Sequence, residues 1–213
     1  YNNGDLAFLQ ALIDNSPGGE NNPPSSLAPW KLGHQLWENK RLTTFCCSSS
    51  SWDLSTFPQW SGSNCQSECP YEFGTTIPSN IENLTALGTL ALAGMSLEGT
   101  IPDGLTDLVA LDVLVLIGNE NLSGSLPESI GNLQNLKHLH LKENILSGEI
   151  PSSLWTITDL ISLDLGNNQF SGAISDGNLD YSSFEYLKWL DLANNNFSGD
   201  IPENICNMNL ISS

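Results

Sequence analysis

The sequence predicts an α/β fold: a right-handed, horseshoe-type solenoid with a parallel sheet on its concave face and a disulfide-stapled amino-terminal cap. Three observations predict it. A motif recurs about every 24 residues; each recurrence holds a leucine pattern suited to a short strand; and four cysteines crowd ahead of the first recurrence. A period of this length is the mark of stacked supersecondary units, each too thin to bury its own apolar edge.

Residues 1–73 lack the motif and form the expected cap, a helix followed by a Trp- and Cys-rich region. In DLAFLQALID, Leu6, Leu9 and Ile13, with Phe8 and Leu12, stand at helical offsets, and Asp5 is the expected N-cap. NSPGGENNPPSS then reads as a loop. Trp30, Trp37, Trp52 and Trp60 supply apolar bulk to cover the open end of the first rung. Cys46, Cys47, Cys65 and Cys69 suit disulfides in an oxidising compartment better than zinc. Adjacent Cys46 and Cys47 would reach one tetrahedral ion only with strain, so no metal is expected. A bond between neighbours is strained as well, which leaves the two pairings that join Cys46 and Cys47 to Cys65 and Cys69. Cys206 has no evident partner.

Residues 74–213 hold about five and a half repeats. Aligned on Ile-Pro or its equivalent, they start at Ile77, Ile101, Leu126, Ile150, Ile174 and Ile201, in steps of 24, 25, 24, 24 and 27 residues. LGTLALAGM, LDVLVLIGN, LKHLHLKEN, LISLDLGNN and LKWLDLANN share the pattern Leu-x-x-Leu-x-Leu-x-x-Asn, with Met95 the one departure at its last position. In Leu-x-Leu the leucines point to one face of a strand and the residue between them to the other, so the leucines are core. Asn119, Asn144, Asn168 and Asn195 fall where the chain turns inward, and an amide offers both a donor and an acceptor to the turn's backbone. Gly99, Gly124, Gly148, Gly172 and Gly199 mark turns that a side chain would obstruct. After Ile201-Pro202 the sequence reads ENICNMNLISS, short of a further strand, which predicts a carboxy-terminal end left incomplete at Ser213.

Composition narrows the partners. Six Lys and Arg stand against 24 Asp and Glu, a formal net charge of −18, which repels nucleic acid and anionic membrane surfaces. No stretch approaches the roughly 18–20 apolar residues of a membrane span. Sequons occur at Asn83, Asn121 and Asn196, and they carry glycans if the chain is secreted. No Gly-x-Ser-x-Gly elbow, phosphate loop or paired catalytic carboxylates stand in the sequence, so neither an enzyme nor a cofactor is expected.

The segments NLSGSLPESIGNL, ILSGEIPSSL and NFSGDIPENI resemble the plant-specific class of leucine-rich repeat, over roughly residues 74–213. That class is found in receptor-kinase and receptor-like ectodomains and in polygalacturonase-inhibiting proteins. The resemblance implies a leucine-rich-repeat horseshoe outside the cell that binds a macromolecule. It equally allows an inhibitor of a secreted carbohydrate-active enzyme, or a structural or adhesion component of an extracellular assembly.

The outward residues of each strand give a map of the concave face. In order they are Thr89, Ala91 and Ala93; Val113, Val115 and Ile117; His138, His140 and Lys142; Ser162, Asp164 and Gly166; Trp189, Asp191 and Ala193. The face changes from apolar to charged along the stack. Its candidate ligand-binding residues are His138, His140, Lys142, Asp164, Trp189 and Asp191, with Trp189 an aromatic anchor. Lys137, Lys142 and Lys188 lie on or beside this strip, which fits a protein or peptide with acidic groups. Stacking sets Asp164 beside His140, a contact expected to favour the imidazolium.

Overall fold

The structure is a computed structural model, described for residues 1–17, 23–24, 26–49, 69, 71–174 and 184–201, the Trp30 side chain excepted. Trp52, Trp60, Cys65, Cys206 and residues 175–183 of the 27-residue step lie outside the described residues.

The cap begins with α1 (Asn3–Asn15), whose inner face is Phe8, Leu9, Leu12 and Ile13. The N-cap is Asn2, whose side-chain oxygen accepts from the N–H of Gly4 and Asp5. This corrects the expectation that Asp5 fills that role. Asp5 is fully buried, and its carboxylate takes two hydrogen bonds from Arg41 and one from Leu42 N–H. A carboxylate committed to a guanidinium has no geometry left for its own helix N-terminus. Next come β1 (His34–Glu38) and β2 (Arg41–Ser48), an antiparallel hairpin, and Trp37 of β1 packs half-buried against the core. Cys47 is disulfide-bonded to Cys69, and Cys46 is also disulfide-bonded.

The repeats supply two strands each. The first of each pair are β3 (Thr89–Ala93), β5 (Val113–Val115), β7 (His138–His140), β9 (Ser162–Asp164) and β11 (Trp189–Asp191), one per rung. They stack in parallel on the cap hairpin in the order β1-β2-β3-β5-β7-β9-β11. After the turn come β4 (Glu98–Thr100), β6 (Asn121–Gly124), β8 (Ile145–Glu149), β10 (Gln169–Ala173) and β12 (Asn196–Ser198), which form a second parallel sheet. Four 3-10 turns follow, Ser79–Asn83, Asp103–Asp107, Glu128–Asn132 and Ser152–Thr156. Pro78, Pro102, Pro127 and Pro151 sit at their N-caps, where proline's fixed φ suits the entry and no backbone N–H is lost from the turn.

The leucines form the core. Leu90, Leu116, Leu139, Leu141, Leu163 and Leu165 are all fully buried, while Leu190 and Leu192 of the fifth rung are only partly so. Each ladder asparagine ties its rung to the one before. Asn119 accepts from Met95 and Leu97 N–H and donates to the carbonyls of Leu92, Leu116 and Ile117. Asn144 accepts from Asn119 N–H, Asn168 from Leu146 and Asn195 from Phe170. In the second sheet Gly124 has φ +79, and an added Cβ would stand 2.8 Å from Thr100 Cγ2. Both the backbone conformation and the space therefore require glycine there.

Candidate functional site

Strand register sets the mapped residues in rows across the concave face. His138 aligns with Ser162 and then Trp189, and His140 aligns with Asp164 and then Asp191. Register therefore brings together five of the six candidates, His138, His140, Asp164, Trp189 and Asp191; Lys142 lies just beyond β7.

Their exposure departs from the map. Cys46, Ala91, Ala93, Val113, Val115 and Ile117 form a second buried apolar cluster, separate from the leucine core. His138, His140, Ser162 and Asp164 continue it and are 7%, 3%, 0% and 5% exposed. Most of the mapped positions of rungs one to four are thus buried, and His138, His140 and Asp164 do not stand on a free surface. Strand register assigns these side chains to a face but says nothing of whether that face is covered. Lys142, Trp189 and Asp191 remain half-buried.

Enclosure changes the chemistry. His138 Nδ1 and His140 Nε2 both hydrogen-bond Ser162 Oγ, at 2.8 Å and 2.6 Å. Burial, with the nearby Lys137 charge, lowers His138 to about 4. Burial, with His138 beside it, lowers His140 to about 3. The expectation that His140 is held as an imidazolium is therefore corrected, because burial, with His138 beside it, favours the neutral ring. Asp164 is pushed up to about 6, by burial above all and by Asp191, against a hydrogen bond from Gly166 N–H. A serine in contact with imidazoles is also how hydrolases activate a nucleophile. Here Ser162 is fully buried, so a substrate carbonyl cannot reach its Oγ. Among the described residues no group of three or more His, Cys, Asp or Glu could hold a metal ion.

An open concavity lies at the turn edge. A groove of about 810 Å³ follows the edge where the strands turn out of the concave sheet, lined by Ser49, Glu72, Ser96, Glu120, Glu143 and Ile145 among others. Gly94 and Gly118 contribute to its lining without side chains. Among the described lining residues the charged ones are Glu72, Glu120 and Glu143, and the carboxylate of Glu72 accepts from Ser96 Oγ at 3.2 Å. The outward-residue map missed these positions, because it stopped at the strand; they fall one to three residues further on, in the turn. The signal was present as glutamates next to the ladder asparagine in consecutive repeats, Glu120 immediately after Asn119 and Glu143 immediately before Asn144. Lys137, counted in the basic strip, faces Asp112 at 4.0 Å. The three sequon residues Asn83, Asn121 and Asn196 are exposed, and Asn121 stands on the groove wall.

Comparisons with known proteins agree with this architecture. A family model described as Leucine Rich Repeat matches residues 135–157 and 186–208. A search of curated proteins found no match. Among solved structures, the ectodomain of the Arabidopsis thaliana membrane receptor kinase GASSHO1/SCHENGEN3, in complex with CASPARIAN STRIP INTEGRITY FACTOR 2, is 39% identical over 65% of this chain and 16% of its own, with a TM-score of 0.61. The plant peptide hormone receptor RGFR1, in complex with RGF2, is 36% identical over 64% of this chain and 22% of its own, with a TM-score of 0.59. This chain therefore spans about a fifth of the length of those receptors or less. A plant ice-binding protein shares the fold over 98% of this chain and 69% of its own, at 22% identity and a TM-score of 0.65. Repeat motif, stacked rungs and structural relatives together give this chain a leucine-rich-repeat fold similar to that of plant receptor ectodomains.

Proposed function

We propose that the chain is part of an extracellular recognition module that binds a peptide or protein along the turn-edge groove and the half-buried fifth rung. The groove carries this reading: with most mapped positions of rungs one to four buried, it is an open concavity of a size to take an extended segment. Its glutamates, on a chain of net charge −18, complement a partner with basic side chains rather than the acidic one expected from the lysine strip. Trp189 and Asp191 offer an aromatic anchor and a charge at the stack's far end. The complexes of two relatives, one of them a peptide hormone receptor, support the ligand class. The Cys47–Cys69 bond and the exposed sequons support a place outside the cell. The binding role is non-catalytic.

The test is capture from secreted and cell-surface material with the full chain, side by side with the E120K/E143K variant. Recovery of a partner that the variant fails to hold supports the groove. Equal recovery by both moves the site elsewhere, and recovery of none moves the reading to a structural role.

A further inference from the structure

The turn that leaves each concave strand has one position in common, the residue just before the ladder position. It is Gly94, Gly118, Glu143, Asn167 and Asn194 in rungs one to five. All five have positive φ, +64, +67, +59, +53 and +54 in that order. In the first four the backbone N–H donates to a carbonyl of the next rung, that of Ile117, Lys142, Gly166 or Ala193. One backbone site is therefore repeated, and in rungs three to five it carries a side chain. Left-handed backbone suits glycine best, yet here it does not demand it. What glycine changes in rungs one and two is space. Gly94 and Gly118 both line the groove, and a side chain on either would stand in it.

The surroundings of that opening define what fits. Both glycine N–H groups are already used, so the floor allows close approach without offering a donor, which suits methylene groups. Exposed Ile145 adds an apolar wall at the far end. There Glu143 fills the position that the glycines leave open, and Glu120 stands one rung before it, about 4.8 Å along the stack. Neither glutamate forms an ion pair among the described residues. Their cation must come from another molecule, because all six basic residues, Lys31, Lys40, Arg41, Lys137, Lys142 and Lys188, lie among the described residues and none lines the groove. Lys142, next to Glu143 in sequence, exerts its charge on Asp164.

Two carboxylates on adjacent rungs suit a planar guanidinium, whose five N–H donors serve both, better than a compact ammonium. From this arrangement we propose that Gly94 and Gly118 set the specificity of the groove: they leave a two-rung slot for the stem of one arginine side chain of the partner, with its guanidinium at Glu120 and Glu143. The proposal rests on the groove being the binding site and narrows its partner to one anchoring residue type.

NMR titration of the isotope-labelled full chain with the blocked peptide acetyl-Gly-Gly-Arg-Gly-Gly-amide tests this. The amide signals of Gly94 and Gly118 are expected to move, and the same peptide with norleucine in place of arginine is expected to leave them still. G118N puts into rung two the residue that rungs four and five already hold at this position, so the turn is kept and the space is lost. Its Kd for the arginine peptide is expected to rise by about tenfold or more. G94N is the second variant should G118N not fold. Wild-type affinity in the asparagine variant, or no movement of the glycine signals in the wild type, overturns the proposal. Equal binding of a lysine peptide overturns the choice of arginine. The capture experiment stays independent: a partner held by the wild type and lost by E120K/E143K keeps the groove as the site even where G118N binds the arginine peptide as the wild type does.

Discussion

At the scale of single residues, the ladder asparagines differ in consequence because they differ in access to water. Asn119 is fully buried and answers five backbone groups, two N–H and three C=O. Asn119→Leu leaves those groups without partners in a dry turn, and a loss of about 3 kcal/mol or more is expected in chemical denaturation. Asn195 makes the same kind of contacts in the partly open fifth rung, where water can replace the amide. Asn195→Leu is expected to cost clearly less, about 1 kcal/mol. Equal losses at the two sites would show that the turns are equally dry. The sequons give a second residue-scale prediction. Protein secreted from a eukaryotic host is expected to lose mass on deglycosylation, and N121Q is expected to alter partner binding, since Asn121 stands on the groove wall while Asn83 and Asn196 do not line it.

At the scale of elements, β3, β5, β7, β9 and β11 were legible because Leu-x-Leu recurs in register and each leucine has a mate one rung away. The second sheet was not. Its strands β4, β6, β8, β10 and β12 are three to five residues long, and most carry a glycine at positive φ, so they read as turns until the neighbouring rung supplies the pairing. The helix was legible from its apolar spacing, but its cap was not, because the claim of Arg41 on Asp5 spans 36 residues of sequence. The candidate site failed for a similar reason. Register assigns each side chain to a face, yet what encloses that face is a tertiary fact, and it is enclosure that turned His138, His140 and Asp164 from surface groups into interior ones. Packing between rungs also makes a prediction on the convex side. A Cβ added at Gly131 would meet Ser153 O at 2.6 Å, backbone against which nothing can rotate away. Gly131→Ala is expected to force the 3-10 turns Glu128–Asn132 and Ser152–Thr156 apart, at a cost of about 1–3 kcal/mol in thermal or chemical denaturation. An unchanged midpoint would mean that the rungs slide past one another freely.

At the scale of the whole molecule, charge governs stability and recognition in opposite senses. With 24 acidic and 6 basic side chains, and only two ion pairs between them among the described residues, Arg41–Asp5 and Lys137–Asp112, most of the negative charge is unopposed. Self-repulsion of that charge works against the folded state, and it is screened over a Debye length of about 8 Å at physiological ionic strength. Raising salt from about 0.02 M to 0.3 M is therefore expected to raise the thermal midpoint. The same field draws a basic partner toward the glutamates of the groove, and screening weakens that steering. Association is expected to slow by about tenfold or more over the same salt range, with dissociation changing little. The E120K/E143K variant should bind more slowly at low salt and show a flatter salt response, since two of the local charges are reversed. Opposite responses of midpoint and association rate to one variable separate electrostatic recognition from a general effect of salt on the fold. If association were insensitive to salt, the partner would have to be held by apolar contact at Trp189 and Ile145 rather than by the groove's carboxylates.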